Sequence, residues 1–261
     1  MVKARVETVG EVAELVISAP PLNLVDAQMI GDFESALAEL AEDAHAGTIR
    51  AALIRAEGTV FCAGVDVHEF QGLDASGGAH MMARLLALVR TLETLPVPTM
   101  AVVHALNLTI GFELSLGCDL LWAAEEASFG LVEATVGLTP GAGGTQRLVA
   151  RAGVARAAEL VLTGDTYSAA TMHEWGVVNR LVPGGGLLDE ARAFAARLAA
   201  GPTSALAVAK RLLQTARDHG VPAADALTPQ ETGRIFATRD AAAGLTSLLE
   251  HGPRRATFRG C

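Results

Sequence analysis

The sequence predicts an α/β fold in which a parallel strand-helix layer is followed by a mostly helical last third. Three observations carry this expectation. Short apolar runs alternate with amphipathic stretches through the first half, glycine and proline mark the junctions, and alanine, leucine and arginine dominate after Pro140. At 261 residues the chain can form one main domain with an appended helical segment.

Residues 12–17, 51–54 and 101–103 are β-branched or apolar runs bounded by glycine, proline or charge, as buried strands are. Between the first two, Met29, Ile30, Phe33, Leu37 and Leu40 recur at three- and four-residue steps. This spacing predicts a helix over 27–44, with Asp26 placed to cap it. A second amphipathic stretch, 79–95, must stop at Pro96 and Pro98. Helical spacing returns over 155–162, 187–199 and 204–216. Gly184-Gly185-Gly186 is the expected linker between an α/β core, 1–183, and a C-terminal helical region, 187–261.

Hydrophobic residues make up 51% of the chain and charged residues 19%, a balance that favours a packed globule with apolar surface to hide between subunits. A formal net charge of -9 argues against a general nucleic-acid binder, which needs a basic stripe. Cys62, Cys118 and Cys261 show no C-x-x-C spacing, so neither a disulfide framework nor a zinc site is expected, and a reducing cytoplasm fits. The N-terminus lacks the apolar segment of a secretory signal, so the mature chain is expected to start there. No apolar run approaches the roughly 18 residues of a spanning helix, so no membrane partner is expected.

Three segments could carry chemistry. Phe61-Cys62-Ala63-Gly64-Val65-Asp66-Val67-His68-Glu69 follows a strand; its glycine either serves a plain strand-to-helix turn or lets main-chain N–H groups face outward as an oxyanion site. Leu108 to Asp119 contains a helix start near Thr109 that places Glu113 in or near the first turn among Ile110, Phe112, Leu114 and Leu116. There Glu113 is either an ordinary first-turn stabiliser or a desolvated acid with a raised pKa. Glu133 stands in an apolar run between Gly130 and Gly137, and a buried glutamate needs a reason. The following Pro140-Gly141-Ala142-Gly143-Gly144 is too irregular for a dinucleotide fingerprint and lacks the lysine of a P-loop. The seven histidines have no nucleophile-elbow setting, and most read as surface residues. Trp122, Tyr167 and Trp175 read as core or interface anchors, and Cys62 and Cys118 as small buried residues.

In this order the segments resemble the enoyl-CoA hydratase/isomerase (crotonase) family. Phe61-Cys62-Ala63-Gly64-Val65-Asp66 is similar to its F-x-A-G-x-D segment. Residues 112–119 are similar to its C-E-L-A-x-x-C-D helix, and 129–148 to its F-x-x-P-E-x-x-x-G-x-x-P-G-x-G-G-T-Q-R-L stretch. Asn23, after Pro20 and Pro21, stands near the family's CoA loop. The resemblance implies a spiral of βαβ turns with C-terminal helices, assembled as a trimer or as a hexamer of two trimers. It also implies that Glu113 and Glu133 are the catalytic acid/base pair, that the N–H groups of Val65 and Ile110 form the oxyanion hole, and that the Gly141 N–H helps hold the water. Ala63, Asp66, Val67 and His68 would line the CoA entrance.

No metal or separate cofactor is implied, because coenzyme A belongs to the substrate. Three departures stand out, the first being Leu131-Val132, which stands where Gln-Pro or a similar pair usually precedes the second glutamate. Thr109 and Ile110 occupy positions where the family has glycines, which would put a β-branched residue where a positive φ is expected. Pro253 lies near the position of a phosphate-binding lysine, leaving Arg254, Arg255 or Arg259 to replace it. Two glutamates favour hydration of a 2-enoyl-CoA; isomerisation, hydrolysis, decarboxylation and a non-catalytic acyl-CoA-binding role are the alternatives.

Overall fold

The structure is a computed structural model and describes residues 2–260. Strands β1 (Ala4–Val9) and β2 (Val12–Ile17) form an antiparallel hairpin, helix α1 (Ala27–Ala46) crosses over, and β3 (Ala51–Ala56) returns parallel to β2 with Leu15 beside Ile54. Helix α2 (Ala75–Thr94) leads to β4 (Thr99–Val103), also parallel. Both crossover helices carry the side-chain caps that start a helix cleanly: Asp26 accepts the N–H of Met29 and Asp74 that of Gly77.

Beyond β4 the chain forms the short strand β5 (Asn107–Leu108), helix α3 (Ile110–Gly117) and strand β6 (Leu120–Ala124). Strand β7 (Ser128–Gly130), helices α4 (Gly144–Ala152) and α5 (Val154–Thr163), strand β8 (Thr166–Ser168), helix α6 (Ala169–Glu174) and strand β9 (Arg180–Val182) follow. The main sheet runs β1-β2-β3-β4-β6-β9, parallel from β2 onward, and β5-β7-β8 form a small second sheet. The strands and the two crossover helices read from hydrophobic spacing are all present.

The last helices are α7 (Leu187–Ala199), α8 (Thr203–His219), α9 (Val221–Ile235) and α10 (Arg239–His251). The expected linker is not a free tether. Gly184 to Gly186 form one 3-10 turn, and α7 lies directly on the main sheet with Leu187, Ala191, Ala195 and Ala199 buried. Arg192 of α7 reaches Glu14, a buried glutamate inside β2, which Arg55 of β3 also holds. Sheet contact and ion pairs therefore join α7 to the body, and the separate helical layer begins with α8.

Trp122 is buried, with the Phe194 ring 4.8 Å away and the Arg180 guanidinium 4.1 Å over its ring. Cys62 and Cys118 are buried, and burial pushes their thiols up to about 11 and about 12, well away from reactive thiolates. No histidine is buried, and no helix among the described residues is long and apolar enough to cross a membrane.

Candidate active site

The site lies past the carboxyl ends of the parallel strands, where the segments after β3 and β4 meet, as is general for open parallel sheets. Asn23 fastens this corner. It is fully buried, accepts the N–H of Ala19, and donates to the carbonyls of Glu57, Val60 and Phe61 at 2.8–3.1 Å. The residue noted as standing near the family's CoA loop thus fixes the strand exit that leads to Gly64.

Two main-chain N–H groups are aimed by their own peptide units. In a trans peptide the C=O and N–H point in opposite directions. The Gly64 carbonyl accepts the N–H of Val25 at 2.9 Å, so the Val65 N–H of the same peptide points the other way. The Thr109 carbonyl accepts the N–H of Glu113 at 2.8 Å, which turns the Ile110 N–H outward at the start of α3. Neither N–H has an acceptor among the described residues, and Val65 and Ile110 line the same cavity.

The positive φ expected at Ile110 falls instead on the preceding residue. Thr109 has φ 46 and ψ -121, a region that glycine occupies readily and threonine rarely. Such a conformation costs on the order of 1–3 kcal/mol and persists only where the surroundings dictate it. Here they do, because the Thr109 N–H bonds to Gly130 in β7 and its carbonyl is the first acceptor of α3. Ile110 is an ordinary first helical residue, and its side chain is buried.

Helix α3 is buried along its whole length, so its polar side chains need internal partners. Ser115 donates to Gly111 and accepts from Asn107. Glu113 is 2% exposed, and its Oε1 accepts the N–H of Ala142 at 2.9 Å and of Gly144 at 2.8 Å. The second bond requires glycine, since a Cβ at Gly144 would lie 2.8 Å from Glu113 Cγ. Burial pushes Glu113 up to about 7; the nearby Glu133 charge adds to this, while the two N–H bonds and Arg147 pull the other way.

Glu133 opens a 3-10 turn, Glu133–Val136, and burial raises it to about 7 as well. Its Oε2 is shielded from solvent and has no hydrogen-bond partner among the described residues.

Both carboxylates line one cavity of about 530 Å³. The other walls are largely apolar and come from α2 (Gly78, Met82, Leu85), the loop before it (Val67, Phe70, Leu73), and the segment after Glu133 (Val136, Leu138). Ala63, Val65, Val67, Ile110, Gly141, Glu113 and Glu133, all singled out from the sequence, converge here. Asp66 and His68 do not line the cavity. Asp66 accepts the N–H of His68 to cap the short turn Val67–Phe70, and the His68 side chain is largely exposed beside it.

The Gly141 N–H has no acceptor among the described residues; the N–H groups that hold Glu113 belong to Ala142 and Gly144, which the sequence reading did not single out. Arg254, Arg255 and Arg259 do not line the cavity. The tail that carries them folds back to the opposite end of the sheet, where Arg50 bonds to the Phe258 carbonyl. The α2 wall was also missed; its one sequence signal is the pair Gly77-Gly78 inside a helix, since Gly78 faces the cavity.

The chain belongs to the family described as enoyl-CoA hydratase/isomerase, whose profile matches residues 7–259. Among its relatives, a protein of Bacillus subtilis named "Probable enoyl-CoA hydratase" is 32% identical over 251 residues, covering 95% of each chain. One of Mycobacterium tuberculosis named "Probable enoyl-CoA hydratase echA8" is 34% identical over 238 residues, covering 91% of each. The crystal structure of an enoyl-CoA hydratase from Bacillus anthracis superposes with a TM-score of 0.91 at 29% identity, covering 99% of this chain and 100% of that one. The crotonase fold read from the sequence is therefore the fold of this chain.

Proposed function

We propose that the protein is an enoyl-CoA hydratase that adds water across the 2,3 double bond of a 2-enoyl-CoA thioester. One observation carries the reading: Glu113 and Glu133, both raised to about 7, face a single apolar cavity together with the unpaired N–H groups of Val65 and Ile110. The thioester oxygen accepts from those two N–H groups, which draws electrons from the double bond and leaves the β-carbon electrophilic. Glu113, ionised and held through Oε1, takes a proton from water through its other oxygen as the water oxygen bonds to the β-carbon, with the Gly141 N–H helping to place that water. Glu133, protonated, delivers its proton to the α-carbon. Burial raises both carboxyls and the Glu133 charge raises Glu113 further, which favours this one-proton state near neutral pH.

The apolar walls suit a hydrocarbon acyl group. Ala63 and Val67 flank the way in for the pantetheine, with Asp66 and His68 at its outer edge, and coenzyme A arrives as part of the substrate. Assembly as a trimer or as two trimers is supported by apolar side chains left exposed on the last helices, Phe236, Leu245, Leu248 and Leu249.

Purified protein given a short 2-enoyl-CoA should consume the conjugated thioester absorbance. Glu113→Gln and Glu133→Gln should each lower kcat by about 10²–10⁴-fold, the range for a lost general acid or base. Unchanged rates in both variants would refute the mechanism. Loss confined to Glu133→Gln would indicate double-bond isomerisation instead.

A further inference from the structure

The geometry points to Thr109 as a positioning residue whose side chain sets the spacing between the two oxyanion N–H groups, by filling the notch left by the missing side chain of Gly64. The inference rests on the hydratase reading of the cavity and deepens it.

Four observations meet at this residue. The peptide that ends in the Val65 N–H begins at Gly64, and the peptide that ends in the Ile110 N–H begins at Thr109. Both leading residues have positive φ, 113 at Gly64 and 46 at Thr109. They pack on each other: a Cβ at Gly64 would lie 2.4 Å from Thr109 Oγ1 and 3.4 Å from its Cγ2. Thr109 Oγ1 is shielded from solvent and has no hydrogen-bond partner among the described residues.

A threonine that is both strained and short of a hydrogen bond is poorly explained by local stability. Glycine would adopt the same φ and ψ freely and leave no hydroxyl unpaired. What threonine adds is volume between the two donor peptides. The carbonyl bonds to Val25 and Glu113 fix the direction of each N–H but not the gap between them. The Thr109 side chain fixes the gap, since Gly64 cannot approach Ile110 further than the γ atoms allow. A hole of set width stabilises an oxyanion without having to rearrange when the charge forms.

The experiment uses Thr109→Gly and Thr109→Ser in the full-length protein, with a chromophoric 3-arylacryloyl-CoA as bound probe and a short 2-enoyl-CoA as substrate. Polarisation of the probe carbonyl shifts its absorbance to longer wavelength, and this readout needs no turnover. Thr109→Gly should lose most of the red shift and about tenfold or more in kcat with little change in KM. Its thermal midpoint should be equal to or higher than that of the wild type, because strain is relieved. Thr109→Ser, which keeps Oγ in the notch, should retain the shift and the rate.

A wild-type red shift and kcat in Thr109→Gly would overturn the spacer role alone. Wild-type protein that binds the probe without any red shift, or fails to bind it, would overturn the oxyanion hole and the spacer with it. Activity that falls in Thr109→Gly only in step with its thermal midpoint would assign the residue to folding and overturn the proposal.

Discussion

Glu113 is subject to opposing influences that its sequence neighbours only partly disclose. The apolar run around it made burial legible from the sequence, and burial is what drives its pKa upward. The two N–H groups that oppose the shift come from the start of α4, about thirty positions away, and no local pattern marks them. The consequence for stability has a definite sign. A carboxyl raised from 4.5 to about 7 in the folded state holds its proton more tightly there than in the unfolded chain. Stability therefore falls as pH rises from about 4.5 to about 7 and levels off above. At about 1.4 kcal/mol per pH unit of that window, the penalty is on the order of 3 kcal/mol. Glu113→Gln, whose amide oxygen still accepts both N–H groups, should raise the thermal midpoint at pH 8 and raise it far less at pH 5. An equal effect at both would remove burial as the cause. The conformation of Thr109 was legible only as a departure from glycine; which residue takes the positive φ is decided by bonds to Gly130 and Glu113.

Among the elements, hydrophobic spacing located β2, β3, β4, α1, α2, α5, α7 and α8, because each buries one face or a whole run. It misjudged the connection at Gly184 to Gly186, since three glycines carry no side-chain pattern and the packing that seats α7 depends on Glu14 and Arg55, far away in the chain. It also could not show that α3 and α4 begin side by side. That juxtaposition makes Gly144 a sharp probe. An alanine there would press on Glu113 Cγ at 2.8 Å and Oε1 at 3.0 Å, in a helix with no room to retreat. Gly144→Ala should lower kcat by at least tenfold while far-ultraviolet circular dichroism stays unchanged, and a fully active variant would show that the α4 turn does not position Glu113.

Taken as one molecule, the chain fastens its outer parts by charge. Glu14 is gripped by Arg55 and Arg192, Lys210 of α8 meets Asp119 at 2.8 Å, and Arg50 bonds Thr203 and the tail carbonyl of Phe258. The last helices leave Phe236 and Leu249 78% and 87% exposed, more apolar surface than a lone helical layer usually shows to water. Phe236→Asp with Leu249→Asp should shift sedimentation toward single chains, and an unchanged profile would place the subunit contacts elsewhere. Around the oxyanion corner the fastenings are of another kind. Asn23 holds the strand exit by its amide, Asn107 meets Ser115 through an amide and a hydroxyl, and main-chain bonds to Val25 and Gly130 do the rest. None of these groups gains or loses a proton in the working range, and none is an ion pair that salt can screen. Acid, alkali and ionic strength can therefore change the charge on the two glutamates while the frame around them keeps its shape, so activity lost at either extreme should return when neutrality is restored.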